Sequence, residues 1–484
     1  MILLLIDRIN TLYHFSFIFT DCDQAVMWLG TKEILSGHFH EPCFYGQSYN
    51  SMLESLLAVP LVYSGVNFYY ALPVMTSFLA ISPFIIFSFY FLKKQPLHAC
   101  FILSFPLLMP EGYGMIASMP RGFVTGIFFA SFVCLSVYTA NNKAKWMLYS
   151  CLAGLAVIAN PNSLVILFPV YVYLFLNDYK NPRFYFFSII GGFPPALLFF
   201  LIKQFYTLNP GYHFHQMPEL KFFPDLFRNA LSRLNDFFWN VVPFSERMGW
   251  CVLLIILVIL ILFLFKQKER IASFSLASVF LLILFSLGFN KVHEGGATVF
   301  HPTSRMFIGL PVLILLFVPK VKNGAKLFFP VMIFIAILFF TCKFFNINYA
   351  VQNATSPYTH HRINYSTVEN LSNNCEHLKK LTDMYKIELI VFLNNSDCIN
   401  YGCGCIEKGF APTLRPDYER RTWRLFEEKT TVRKNILFIG NNGSKDINVL
   451  KKISTKFDGY LLENNNTPTI MLLDKMKINV RPFE

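Results

Sequence analysis

Residues 248–270 read "MGWCVLLIILVILILFLFKQKER". From Met248 to Phe265 no side chain carries a charge, and the run then meets Lys266, Lys268 and Arg270 with a single acid, Glu269. A segment that is apolar on every face has no solvated side to offer a soluble fold. It is close to the roughly 20 apolar residues that cross a bilayer. A cluster of Lys and Arg at one end marks the cytoplasmic side of such a helix.

The whole chain repeats this pattern. Of 484 residues, 54% are hydrophobic and 15% charged, with 55 Phe and 23 Tyr. Mean hydropathy is +0.44. A soluble protein carries about a quarter charged residues. The formal charge of +13 therefore points to basic cytoplasmic joints and not to nucleic acid. The reading is mainly α: a polytopic transmembrane helical bundle. Apolar stretches at 1–19, 67–92, 98–112, 122–140, 146–159, 162–177, 184–206, 248–265, 271–290, 305–319 and 327–345 give about eleven helices. Pro161, between Asn160 and Asn162, predicts a break between two short helices.

Orientation follows from the joints. "KKQP" (93–96), "NNKAK" (141–145), "NDYKNPR" (177–183), "KQKER" (266–270) and "KVKNGAK" (320–326) hold only Asp178 and Glu269 as acids. These joints are expected on the cytoplasmic side. Loops 20–66, 111–121, 206–247 and 291–304, and everything after Phe345, then face outward. The N-terminal segment fits least well, because Asp7 and Arg8 lie inside it and such charges are costly at membrane depth unless they pair or snorkel.

Two domains are expected: a membrane domain at 1–345 and a soluble, extracytoplasmic α/β domain at 346–484. The β-like runs "IELIVFL" (387–393) and "NILFIG" (435–440) support the second. Cys375, Cys398, Cys403 and Cys405 lie in it. On an oxidising side four cysteines allow two disulfides, of pairing that spacing does not fix; zinc is the alternative.

The first outer loop is unlike the rest. Residues 20–66 carry Asp21, Asp23, Glu33, Glu41 and Glu54 against one base, Lys32. The stretch "FTDCDQAVMWLG" (19–30) opens it. Asp21 with Gln24 three residues on reads as a helix N-cap, leaving Asp23 in the first turn, where the helix dipole favours an acid. The segments after it read as two interfacial helices joined by the polar, aromatic turn "HFHEPCFYGQSYN" (38–50), placed where lipid headgroups lie.

Here the chain resembles the GT-C superfamily of integral-membrane glycosyltransferases, which includes protein O-mannosyltransferases and bacterial aminoarabinose transferases. "DQA" (23–25) followed by "LGTKEILSGHF" (29–39) is similar to that family's acidic motif and following helix. "FYGQSYNSMLESLLAVPL" (44–61) and the Arg-led "PTSRMFIGLPVLILL" (302–316) resemble further stretches. Gln24 stands where the family often has Glu, so any role of that Glu must be met otherwise. The resemblance spans most of 8–345; the tail matches no motif.

It implies transfer of a sugar from a polyprenyl-phosphate donor to an acceptor hydroxyl at the extracytoplasmic face, with inversion. It also implies an integral bacterial inner-membrane location. A carboxylate takes the acceptor proton and cations hold the leaving phosphate. Asp23 is the candidate base, with Asp21 beside it. Arg121 and Arg305 are candidates for the phosphate, with Arg247 and Lys203 behind them. Glu54, Gln47 and Tyr49 are candidate substrate contacts. A divalent metal ion is the one cofactor candidate, with Asp21, His213 and His215 as possible ligands. The acceptor could be a glycan, a lipid or a protein. Plainer roles stand beside these: N-capping for both aspartates, snorkelling for the arginines and surface exposure for the histidines. A transporter or flippase of a lipid-linked glycan is the alternative function, and a membrane scaffold whose tail binds a partner the third.

Overall fold

The computed structural model describes residues 1–139, 141–209, 213–215, 220–243, 248–296, 298–321, 328–356 and 365–392, with short stretches between 413 and 477. Each apolar stretch of the sequence contains helix, among elements that run along the described chain. In chain order these are α1 (Ile2–Thr11, prolonged by a π turn over Leu12–Ser16), β1 (Phe19–Asp21), α2 (Cys22–Leu35), β2 (Gly46–Gln47), α3 (Leu53–Tyr63) and α4 (Phe68–Leu92). There follow α5 (Pro96–Ser104), α6 (Glu111–Ile116), α7 (Thr125–Ser136), α8 (Asn142–Ala159), α9 (Leu164–Asp178) and α10 (Pro182–Leu208). Then come β3 (His213–His215), α11 (Pro224–Ser232), α12 (Leu234–Phe238), α13 (Gly249–Lys266), α14 (Arg270–Ser286), α15 (Leu310–Phe317) and α16 (Phe328–Ala354).

Among the described residues, five helices are long and apolar enough to cross a membrane: α4, α10, α13, α16 and the composite Thr303–Lys320 that contains α15. Others are shorter or broken where the sequence breaks them. Between α8 and α9, Pro161–Ser163 forms one 3-10 turn, and the Asn160 side chain caps it by accepting from the Asn162 N–H at 3.0 Å. Large apolar side chains stay exposed along the long helices, such as Ile189, Phe193 and Phe200 on α10 and Ile259 and Leu262 on α13. Faces of this kind suit lipid and would be a liability in water.

The chain forms two compact units. The first comprises Met1–Ser16, Pro73–Leu201 and Pro218–Ile363. Within it Asp7 and Arg8 are buried and paired with each other, and Lys343 Nζ sits 2.6 Å from Asp7 Oδ1 and donates to the Met109 carbonyl at 3.3 Å. The charges in α1 are therefore paired in the interior. Lys343, inside an apolar run, was the unread partner.

The second unit comprises Phe17–Leu72, Ile202–Met217 and Asn364–Glu484. It holds the acidic first loop. Strand β1 pairs antiparallel with β4 (Tyr365–Thr367), and β2 pairs parallel with β3. Helices α2 and α3 pack closely at Gly30, where an added Cβ would fall 2.1 Å from Met52 Cε. Beyond β4 lie α17 (Val368–Tyr385), β5 (Leu389–Phe392), β6 (Thr413–Leu414), β7 (Val432–Arg433), β8 (Ile436–Ile439), β9 (Gly459–Asn464) and β10 (Thr467–Leu472). The two β-like runs of the sequence are neighbours here: β5 and β8 pair in parallel inside the sheet order β6-β5-β8-β10-β9. Leu378, Ile387, Ile390, Leu437 and Ile439 form the core beneath them.

Candidate functional site

In the second unit the two aspartates are held differently. Asp21 is buried, ends β1 in the register of Tyr365, and caps α2: its Oδ1 accepts from the Gln24 N–H at 3.0 Å. Asp23 lies in the first turn of α2 and is only half-buried. One carboxylate caps the helix end, and the other lies in the turn that follows.

Around them polar groups are buried at high density. Glu54 is fully buried in the first turn of α3. Gln47 is buried on β2, in register with His215, as Gly46 is with His213; Tyr49 is half-buried. Among the described residues, Thr20 Oγ1, Gln24 Nε2, Trp28 Nε1, Gln47 Oε1 and Ser51 Oγ are buried without a hydrogen-bond partner. Such atoms are few in a native fold, and their concentration in one segment is what a segment that receives a polar ligand shows.

Glu41 was legible only as one acid among five. It is 1% exposed, accepts from the Gly46 N–H and from the Tyr206 hydroxyl, each at 3.0 Å, and that hydroxyl oxygen accepts in turn from the Cys43 N–H at 3.3 Å. Burial raises its carboxyl from the ordinary 4.5 to about 8, against the pull of these bonds. The folded carboxyl thus holds its proton more tightly than the unfolded one. That contribution is complete below about pH 4.5 and is lost as pH rises through about 8. Stability is expected to fall across this window, by at most about 1.4 kcal/mol per pH unit. Glu41→Gln, which fixes the neutral form, should flatten the slope in thermal unfolding of the purified chain between pH 5 and 8.5. An unchanged slope would remove Glu41 as its source.

In the first unit Arg121 and Arg305, 184 positions apart in the numbering, come together. Both are buried, and their Cζ atoms lie 5.9 and 5.8 Å from the centre of the Phe123 ring. Asn162 holds the two stretches to each other, its Nδ2 donating to the carbonyls of Phe123 (2.8 Å) and Arg305 (3.3 Å). Arg305 Nη1 donates to the carbonyls of Glu294 (2.6 Å) and Pro302 (3.0 Å). Gly295, at φ +119°, leaves room for it: a Cβ there would lie 2.6 Å from that Nη1. Lys291 pairs with Glu294 at 2.5 Å. Burial first, then Arg305, lowers Arg121 to about 9, so it stays cationic at neutral pH. Burial and the three cations Arg305, Arg121 and Lys291 push His301 down to about 2, which keeps it neutral. Arg121, Arg305 and Lys291 gather cationic side chains around one spot, which favours an anion.

Of the other candidates, Lys203 is exposed on α10 and Arg247 lies outside the described residues. So do Cys398, Cys403 and Cys405; Cys375 is disulfide-bonded. Among the described residues no three His, Cys, Asp or Glu side chains gather as a metal-binding set, and no residue is assigned to a metal ion.

The sequence matches no protein-family model and no curated protein. The structure does find a counterpart. It superposes on the crystal structure of ArnT from Cupriavidus metallidurans bound to undecaprenyl phosphate, covering 97% of each chain at a TM-score of 0.54. The chain has the ArnT fold. At 9% identity the likeness to ArnT is one of architecture, carried by the helical layout and not by shared residues.

Proposed function

We propose that this protein is a GT-C-type membrane glycosyltransferase. It transfers a sugar from a polyprenyl-phosphate donor to an acceptor hydroxyl at the extracytoplasmic face. The observation that carries the reading is the buried Arg121–Phe123–Arg305 cluster: two guanidiniums brought together in a dry site favour a phosphate between them. The ArnT fold, in a protein crystallised with undecaprenyl phosphate, supports the same donor class. The disulfide at Cys375 agrees with a tail on an oxidising side.

In this reading the acceptor oxygen attacks the anomeric carbon as the bond from that carbon to the phosphate oxygen breaks. Asp23 takes the acceptor proton, polyprenyl phosphate leaves with the electron pair, and the arginines hold its charge. A single displacement inverts the anomeric centre. Asp21 is a positioning residue, because its cap fixes the first turn that carries Asp23. Glu54, Gln47 and Tyr49 contact substrate from the same loop.

The test uses membranes containing the full chain and labelled polyprenyl-phosphate sugars. Label is expected to move from donor to an acceptor fraction. Absence of transfer from every such donor, together with passage of a labelled lipid-linked glycan across vesicle membranes, would replace this reading with the transporter.

A further inference from the structure

The first unit also contains a cavity of about 610 Å³ that involves neither Arg121 nor Arg305. Helix α16 supplies one wall. Its apolar run ends at Phe345, yet the helix continues to Ala354, and Asn346, Tyr349 and Asn353 of this extension line the cavity. Their spacing of i, i+3 and i+7 sets them on one face. Nine residues of helix beyond the apolar run reach about 13 Å, which carries this wall past the apolar stretch. Opposite α16 are Glu111 from α6, and Asp236 from α12 with Trp239 just after it. Gly112 lets α6 approach the end of α12, since a Cβ there would fall 1.9 Å from Asn240 Oδ1.

The lining selects a chemistry. Two aromatic residues, Trp239 and Tyr349, offer flat apolar faces. The Asn346 amide offers donors and an acceptor, the Asn353 amide lines the same wall, and the carboxyls of Glu111 and Asp236 accept further hydrogen bonds. Trp239 Nε1 is buried without a hydrogen-bond partner among the described residues. Alternating apolar faces and paired donors and acceptors match a pyranose ring, with its C–H faces and its rim of hydroxyls. An acyl chain would strand the polar groups. An amine would need free negative charge. Asp236, however, is paired with Arg233 at 2.7 Å, and burial shifts the Glu111 carboxyl upward, toward its neutral form.

We propose that this cavity binds a neutral pyranose ring, that of the glycan accepting the transferred sugar. Assignment of the ring to the acceptor rests on the transferase reading above; binding of the ring does not.

The full chain in nanodiscs would be titrated with the methyl glycosides of glucose, galactose, mannose and xylose, with glucosamine as the charged control, followed by saturation-transfer NMR. Saturable millimolar binding of at least one neutral glycoside is expected. Tyr349→Ala and Asn346→Ala alter exposed side chains and should weaken it about five- to tenfold. In the transfer assay, Tyr349→Ala should raise the KM for acceptor while the donor KM holds. Three results would overturn the proposal: no neutral glycoside binds, both variants bind as wild type does, or glucosamine binds tightest. Sugar binding without transfer from any donor would leave the cavity assigned and defeat the transferase reading instead.

Discussion

Arg121→Gln is expected to lower transfer from a polyprenyl-phosphate sugar about 10²- to 10³-fold, the usual loss when one preorganised donor to a developing anion is removed. The residue is buried and stays cationic at neutral pH, so its charge acts in a medium where it is only weakly screened. Arg121→Lys should recover little, because an ammonium cannot present a planar fork to phosphate. Arg305→Gln should cost as much but also disturb the 294–302 loop, which Arg305 ties down through two carbonyls; Arg121 is therefore the cleaner test. Because both groups act on one phosphate, the double variant should lose less than the product of the single losses. Steady-state transfer rates, with thermal unfolding as a control on folding, decide the matter. A wild-type rate from Arg121→Gln would remove the cluster from catalysis.

Asp23→Asn is expected to lower the chemical step about 10²- to 10⁴-fold, the range for loss of a general base. The adjacent cap provides an internal control. Asp21→Asn keeps an oxygen for the Gln24 N–H, and Asn caps helices as well as Asp does, so activity should stay within a few-fold of wild type. Asp21→Ala should instead cost about 1 kcal/mol of stability. If Asp21→Asn were the more damaging of the two, the base would have to be reassigned to Asp21. Equal rates from wild type and Asp23→Asn would remove Asp23 as the base.

What could be read in the sequence was whatever depends on near neighbours. The uncharged run of α13, the Asn160–Pro161 break and the cap formed by Asp21 and Gln24 each involve groups a few residues apart, where helix periodicity and backbone hydrogen bonding set the pattern. Long-range partners were not legible. Glu41 owes its burial to Tyr206, 165 positions away, and nothing in "HEPCFYG" (40–46) announces that pairing. Arg121 and Arg305 could be chosen separately as outer-surface cations, but their convergence on Phe123 depends on Asn162, a residue that had been read only as part of a turn. The cavity on α16 was missed for a related reason. The apolar run that marks a span ends at Phe345, and the helix continues to Ala354.

The pairing of Asp7 with Lys343 has a consequence for how the protein is made. Helix α1 leaves the ribosome before α16, which follows more than 300 residues later. For that whole interval Asp7 has Arg8 but not Lys343. A buried ion pair broken by loss of one partner is destabilised by about 3–5 kcal/mol. Helix α1 thus remains loosely committed until α16 arrives, and biogenesis of the first unit includes a late electrostatic closure between two helices more than 300 residues apart.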